Sequence, residues 1–150
     1  MTIIGEVDRG ETRDGEIVMV EIPEKYLDLV QKKTTFANLA TVMPDGSPQV
    51  TPVWFDYTGG KIRVNSAKGR VKVRNMVEGA HVALSILDPD NPYRYIQIRG
   101  RVGHVTEAGA DAHIDSLAKK YLGKDKYPWA SPDQVRVIFE IEPDKVQGME

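Results

Sequence analysis

The chain has 150 residues, of which 41% are hydrophobic, so it can form one domain with a substantial core. It contains no cysteine, which excludes disulfides, zinc–thiolate sites, iron–sulfur clusters and thiol catalysis. Its formal net charge of −2 at pH 7 argues against general nucleic-acid binding, because nucleic-acid-binding domains are strongly basic. The sequence does not begin with a basic region and a long apolar run, so we expect no signal peptide, no membrane span and a cytoplasmic location.

The first 34 residues are predicted to form an N-terminal extension, which precedes the main domain at residues 35–150. Residues 17–22 alternate between apolar and polar side chains and predict an added edge strand. Pro23 is favoured in the first turn of a helix, and an apolar stripe follows it. We therefore predict a helix over residues 23–33.

Strand patterns begin after this extension. Residues 36–43 are mainly apolar, residues 49–57 are rich in β-branched and aromatic side chains, and residues 61–65 alternate. Turn-forming sequences separate these three segments, so they predict consecutive antiparallel strands. Pro48 and Pro52 cannot donate hydrogen bonds to a sheet, which predicts that the second strand lies at an edge or contains a bulge.

Residues 61–75 contain six lysine and arginine residues and no acidic residue. The pattern changes near residues 65–69, so a strand is predicted to lead through a short loop into a helix over residues 69–78, capped by Gly79. Helix starts bind phosphate, whereas like charges in a first turn repel one another until an anion neutralises them. The stretch predicts an anion site, with a solvated basic face as the alternative. The predicted anion contacts are Ser66, Arg70 and Lys72.

The second half of the chain predicts three further strands and a helix. The strands are predicted over residues 80–87, 96–105 and 134–142, the last of them ended by Pro143. The helix is predicted over residues 108–121. Its expected buried positions are Ala112, Ile114, Leu117, Ala118 and Tyr121. Six or seven strands with short connections and peripheral helices indicate a mainly β (α+β) fold, an antiparallel barrel in a single domain.

No residue pattern predicts a protein catalyst or a metal site. The three histidines, His81, His104 and His113, lack metal-ligand spacing, and each is interpreted as structural. The sequence contains no nucleophile elbow, dinucleotide-binding glycine motif or Walker sequence. An anion site with aromatic residues and no catalytic residue fits a protein whose cofactor supplies the reactive atom.

Three segments resemble the pyridoxamine-phosphate-oxidase-like split β-barrel flavoproteins: residues 36–42, 45–55 and 65–75. Residues 88–95 and 98–102 are similar to the branch that binds the deazaflavin coenzyme F420 in place of FMN. The resemblance implies a split β-barrel of six to seven antiparallel strands with peripheral helices. It also implies a homodimer with cofactor sites at the subunit interface.

The resemblance also implies three groups of cofactor-binding residues. The phosphate would be held by Ser66, Lys68, Arg70 and Lys72, with Asn65 and Ala67 in the same turn. The deazaflavin ring would be lined, partly through backbone groups, by Gln49, Thr51, Pro52, Val53 and Trp54. The partner subunit would contribute Tyr93, Arg94 and Tyr95, for which ordinary barrel packing is the alternative. Trp54 is equally compatible with a place in the core or the dimer interface, and Trp129 is interpreted as a loop anchor.

By the same resemblance, the protein would be an F420-dependent oxidoreductase. It would transfer a hydride between reduced deazaflavin and a small conjugated acceptor such as an enone, a quinone or a tetrapyrrole like biliverdin. We do not expect vitamin B6 oxidation, because the tail after residue 142 is mostly acidic where substrate-phosphate contacts would be expected. The alternatives are an FMN-dependent oxidoreductase of the same fold and a non-catalytic flavin- or haem-binding module.

Overall fold

The computed structural model describes residues 7–8, 10–11, 17–18 and 20–149. These residues form ten strands: β1 (Val7–Asp8), β2 (Gly10–Glu11), β3 (Ile17–Val18), β4 (Ala37–Val42), β5 (Pro48–Val53), β6 (Phe55–Thr58), β7 (Lys61–Ala67), β8 (His81–Leu87), β9 (Tyr95–Thr106) and β10 (Arg136–Met149). The helical segments are a 3-10 turn at Glu24–Tyr26, α1 (Leu27–Gln31), α2 (Val71–Asn75) and α3 (Ala110–Leu122).

Seven strands form one antiparallel sheet in the order β5–β4–β8–β9–β10–β7–β6. β1 pairs with β10 beside this path, and β2 and β3 form a separate two-stranded sheet among the described residues. Each of the seven strands contributes to one hydrophobic cluster, for example through Val53, Leu39, Leu84, Ile98, Phe139, Ile62 and Phe55. Because strands from both ends of the sheet share one core, the sheet is curled, and the predicted mainly β split barrel is confirmed.

The predicted N-terminal helix packs onto this same core. The 3-10 turn and α1 together occupy most of the predicted 23–33 helix, and Tyr26, Leu29 and Val30 are fully buried. Of the strand predicted over residues 17–22, Ile17–Val18 form a strand that pairs with β2, whereas residues 20–22 are not in a strand.

The strand predicted over residues 49–57 is two strands, β5 and β6, which lie at opposite edges of the sheet. Pro48 and Pro52 are both in β5, so the predicted edge position is confirmed. The chain leaves one edge at Val53 and joins the other at Phe55, which places Trp54 at the crossing between them.

The prediction that Pro143 ends the last strand is wrong, since β10 continues to Met149. Pro143 lies opposite Gly100, and the register between β10 and β9 shifts between Pro143 and Lys145. This irregularity accommodates a residue without an N–H group. The carbonyl of Pro143 accepts a hydrogen bond from the backbone N–H of Val20 at 3.2 Å.

The helix predicted over residues 69–78 is shorter, because Met76 leaves the helical conformation with a φ of −99° and a ψ of 49°. β7 continues to Ala67 through its pairing with β10. The prediction that Gly79 caps this helix is wrong: α2 ends at Asn75, and the N–H of Gly79 donates to the carbonyl of Val102 at 2.7 Å. The residues predicted to precede the helix, Asn65 and Ser66, are therefore buried positions of a strand.

The last helix, α3, ends as predicted at Gly123, which has a φ of 72°. Four of its predicted buried positions are at least partly buried, but Ala112 is exposed and the adjacent His113 is buried instead. The reason is that His113 has polar partners on the barrel, Asp56 and Asn65, so a polar side chain occupies the inward face.

Candidate functional site

A cleft opens beside the end of β7, where the β5–β6 crossing, the segment before α2, α3, the loop after α3 and the start of β10 meet. We call it the cationic cleft. Its lining residues are Pro52, Val53, Trp54, Asn65, Ser66, Arg70, Lys72, Ile114, Tyr127, Trp129 and Arg136.

Three positive charges lie on this cleft: Arg70, Lys72 and Arg136. In the part of the chain that the structure describes, no carboxylate forms an ion pair with any of them. Burial, followed by the nearby charges of Arg70 and Arg136, lowers the pKa of Lys72 below its usual value. Burial is also the main cause that lowers the pKa of Arg136. The cluster is therefore electrostatically unfavourable until an anion joins it.

Two buried polar atoms of residues on the same cleft have no hydrogen-bond partner among the residues that the structure describes: Ser66 Oγ and Arg136 Nη1. Their residues are only 2% and 8% exposed. An unpaired buried polar group costs about 1–3 kcal/mol, so such atoms indicate a place where a ligand binds. Both atoms can donate to an oxyanion, and a phosphate would satisfy them together with the three charges.

Arg136 is held in one orientation from two sides. Its Nε donates to Asn65 Oδ1 at 2.8 Å, and its guanidinium lies 5.2 Å from the centroid of the Tyr127 ring. These contacts leave Nη1 unpaired on the cleft. Arg136 was not among the predicted site residues, because it lies far along the chain from the basic stretch and is brought to Ala67 by pairing of β10 with β7.

Aromatic side chains form the other wall of the cleft. Trp54 stacks on Tyr121 with ring centroids 5.1 Å apart and an interplanar angle of 6°. The ring of Tyr127 is perpendicular to that of Trp54, with the two centroids 6.1 Å apart. The Tyr121 hydroxyl donates to the carbonyl of Thr35 at 2.6 Å, which anchors the stack to the barrel. Trp54 thus lies outside the hydrophobic core, as a flat wall suited to a planar ring. Trp129 also lines the cleft.

Half of the predicted cofactor-binding residues line the cleft: Pro52, Val53, Trp54, Asn65, Ser66, Arg70 and Lys72. The others do not line it. Lys68 is exposed and pairs with Glu107 at 2.9 Å, and Gln49 accepts a hydrogen bond from Thr41 at 2.9 Å. Ala67 is buried at the end of β7, and Thr51 Oγ1 is buried without a partner.

The predicted partner-subunit group lies elsewhere on the chain, at the loop before β9. Arg94 binds Asp28 at 2.7 Å and Asp88 at 2.9 Å and donates to the carbonyl of Lys25. Tyr93 is exposed, and Tyr95 begins β9. Their contact with a cofactor of the partner subunit stays a prediction.

None of the helices among residues 20–149 is long and apolar enough to cross a membrane. Nor do the described side chains include three His, Asp or Glu residues grouped so that they could hold a metal ion. His81 and His104 are exposed on strands, so of the three histidines only His113 is buried.

The curled antiparallel sheet with a cationic cleft beside it defines a split-barrel cofactor-binding protein. The chain belongs to the pyridoxamine 5'-phosphate oxidase family, whose sequence model matches residues 22–150. No curated protein matches the chain.

Solved structures give a finer comparison. An F420 reductase is 35% identical, with a TM-score of 0.72, over 83% of this chain and 98% of that one. A conserved hypothetical protein from Mycobacterium tuberculosis is 19% identical, with a TM-score of 0.64, over 94% and 89% of the two chains. An FAD- and haem-binding protein from Mycobacterium smegmatis is 15% identical, with a TM-score of 0.63, over 85% and 71%. The last two share the fold.

Proposed function

We propose that the protein is an F420-dependent oxidoreductase, which transfers a hydride between reduced deazaflavin and a small conjugated acceptor such as an enone, a quinone or a tetrapyrrole. The observation that carries this proposal is the cationic cleft, where unpaired buried donors and three charges adjoin an aromatic wall. The similarity to an F420 reductase supports the choice of cofactor.

The residues of the cleft fit the cofactor in two parts. Ser66, Arg70, Lys72 and Arg136 would hold the phosphate through charge-assisted hydrogen bonds. Trp54 and the adjacent backbone at residues 52–53 would orient the planar ring and exclude water from one of its faces. The bound deazaflavin supplies the hydride chemistry, and the protein supplies position and electrostatics.

An FMN-dependent oxidoreductase is the second candidate, because the cleft recognises a phosphate and FMN also carries one. Membership of the pyridoxamine 5'-phosphate oxidase family supports an FMN-dependent enzyme as well as it supports an F420-dependent one. A non-catalytic flavin- or haem-binding module uses the same pocket without turnover. The three candidates therefore differ in cofactor preference and in whether reduced cofactor passes its hydride on.

Both tryptophans of the chain line the cleft, so intrinsic fluorescence reports directly on ligand binding. We expect titration with F420 to quench this fluorescence at lower concentrations than FMN does. Strong quenching by FMN with none by F420 would favour the second candidate. If F420 binds, mixing its reduced form with an enone, a quinone or biliverdin tests turnover, and no oxidation with any acceptor would favour a binding module.

We also propose that the protein is a cytoplasmic homodimer. The observation behind the dimer is a pair of exposed valines, Val42 and Val50, beside a groove that is lined by Ala40 and Ala83 together with polar residues such as His81 and Arg99. Light scattering should give twice the chain mass of 16.8 kDa. Val50→Glu should shift the protein toward monomer, and a monomeric wild type at micromolar concentration would contradict the dimer.

A further inference from the structure

A continuous chain of hydrogen bonds runs from the cleft along the contact between α3 and the strands β6 and β7. Arg63 Nε donates to Asp56 Oδ1 at 2.7 Å, and His113 Nε2 lies 2.9 Å from Asp56 Oδ2. On its other side, His113 Nδ1 lies 3.1 Å from Asn65 Nδ2. The chain ends where Arg136 Nε donates to Asn65 Oδ1 at 2.8 Å. We call Asp56, His113, Asn65 and Arg136 the relay.

The donors and acceptors of the relay fit together in one way. A guanidinium only donates, so the atom of Asn65 that faces Arg136 must be its carbonyl oxygen. The amide nitrogen of Asn65 then donates to the carbonyl of Ala110 at 2.8 Å and to His113 Nδ1. His113 Nδ1 is therefore an acceptor, which leaves the ring proton on Nε2, where it is donated to Asp56.

The relay is closed to water at its centre. Asn65 is 9% exposed, His113 is 5% exposed and Arg136 is 8% exposed. A buried donor or acceptor that loses its partner at such a site is not rescued by solvent. The orientation of Arg136 therefore depends on Asn65, and the orientation of Asn65 depends on neutral His113.

Protonation of His113 conflicts with this arrangement. A proton on Nδ1 would place two donors face to face, Nδ1–H against the amide nitrogen of Asn65. If the Asn65 amide turned to relieve this conflict, its nitrogen would face Arg136 Nε, which is also a donor. Either way one link breaks, and the fixed orientation of Arg136 is lost.

We propose that His113 and Asn65 are positioning residues that aim Arg136 Nη1 at the bound anion, and that only neutral His113 supports this geometry. This inference rests on the proposed function, because the anion it invokes is the cofactor phosphate. The ligand class is an oxyanion, and His113 itself does not touch it.

Other charges around His113 bear on its protonation. Asp56 faces it from β6, with Arg63 of β7 behind that carboxylate. Lys120, which is on α3 with His113, interacts electrostatically with Asp56. Arg136, on β10, is separated from His113 by Asn65. Burial would raise the pKa of Asp56, but hydrogen bonds from His113 and Arg63 outweigh it and lower the pKa to about 2. Asp56 thus stays a carboxylate throughout the range in which histidines titrate.

A double-mutant cycle with sulfate as the probe tests the positioning role. At about pH 8, sulfate affinity is measured by thermal shift for wild type, His113→Leu, Arg136→Gln and the double variant, with chloride at equal ionic strength as the reference. We expect His113→Leu to weaken sulfate binding about tenfold in the wild-type background and to have no effect when Arg136 is already Gln. His104→Leu, at an exposed histidine, is the matched control and should leave affinity unchanged.

Two results would overturn the positioning role. One is an equal loss from His113→Leu in both backgrounds, which indicates a general structural effect. The other is no sulfate binding by wild type. His113→Gln keeps the inference testable if His113→Leu folds poorly, because an amide can accept from Asn65 and donate to Asp56. We expect this variant to bind sulfate within about twofold of wild type at about pH 8.

The pH profile is the second readout, because sulfate keeps its charge between about pH 8 and about pH 5, so a change in its affinity there reports on the protein. His113→Gln does not titrate, so it reports all other pH effects, including those of Lys72. The relay predicts that the affinity of wild type relative to His113→Gln falls about tenfold when His113 takes up a second ring proton, which NMR of the imidazole detects in the same samples. A simple charge effect has the opposite sign, since an imidazolium would attract the anion. A ratio that stays constant or rises as His113 becomes protonated would overturn the inference.

The sulfate measurements separate this inference from the proposed function. If F420 fails to bind wild type while the cycle shows coupling, the proposed cofactor is wrong and the relay stands. If F420 binds while His113 and Arg136 act independently, the relay is wrong and the proposed cofactor stands.

Discussion

Lys72→Met is the most informative single change to the cleft. It removes the ammonium group and keeps an unbranched apolar stem at a half-buried position. A charge-assisted hydrogen bond to the phosphate contributes about 1.5–3 kcal/mol, so its loss should weaken cofactor binding about tenfold to a hundredfold. Quenching of the cleft tryptophans by F420 measures this affinity directly.

The same change should not harm the ligand-free protein. Burial and the charges of Arg70 and Arg136 lower the pKa of Lys72 in the folded state. Between the folded and the unfolded pKa, the unfolded chain binds more protons, so the stability of wild type rises with pH in that window. Lys72→Met removes this rise, and at neutral pH its free energy of unfolding should equal or exceed that of wild type.

Lys61→Met is the matched control, because it also removes one lysine charge, from a residue of β7 that lies outside the cleft and pairs with Glu140. Its F420 affinity should stay within about twofold of wild type. The reasoning is refuted if Lys72→Met binds F420 as tightly as Lys61→Met does. It is also refuted if Lys72→Met unfolds at lower denaturant concentration than wild type without ligand.

Two further predictions concern the barrel. His113 and Arg63 lower the pKa of Asp56 to about 2 against the opposing effect of burial, so stability that is present above its ordinary 3.8 should be lost as the pH falls through about 2. Asp56→Asn should flatten this acid dependence in denaturant titrations, and an unchanged slope would contradict it. A Cβ at Gly100 would overlap the backbone carbonyl of Glu142, so Gly100→Ala should lower the free energy of unfolding by about 2 kcal/mol or more. A denaturation midpoint equal to that of wild type would contradict this, because it would show that the two strands move apart without strain.

The barrel could be predicted because its signals are local. Apolar, alternating or β-branched and aromatic patterns marked the strands of the main sheet, although β5 and β6 were predicted as one strand, and two prolines in β5 placed that strand at an edge. The same local rule failed at Pro143, since a register shift opposite Gly100 accommodates the missing N–H group. Sequence alone does not show which proline lies at a bulge, because the bulge is a property of the paired strand.

The anion site could be predicted only in part. Ser66, Arg70 and Lys72 lie in one stretch of sequence, whereas Arg136 joins them through the pairing of β10 with β7. Lys68 carries the same charge in the same stretch, but it pairs with Glu107 outside the cleft. Charge density along the chain identifies the neighbourhood of such a site, and only tertiary structure shows which side chains face it.

The buried histidine had no sequence signal of its own. An apolar stripe on α3 favours Ala112 over His113 as the inward residue. The structure reverses the two because Asp56 and Asn65 satisfy both nitrogens of the imidazole ring. These partners lie on β6 and β7, more than 40 residues away along the chain.

A crystal structure of the protein with F420 tests the central claim most directly. We expect the phosphate oxygens to lie within hydrogen-bond distance, about 2.7–3.2 Å, of Ser66 Oγ and Arg136 Nη1, with the deazaflavin ring beside Trp54. A phosphate bound at Lys68, or a ring away from Trp54 with Ser66 Oγ and Arg136 Nη1 still unpaired, would contradict it.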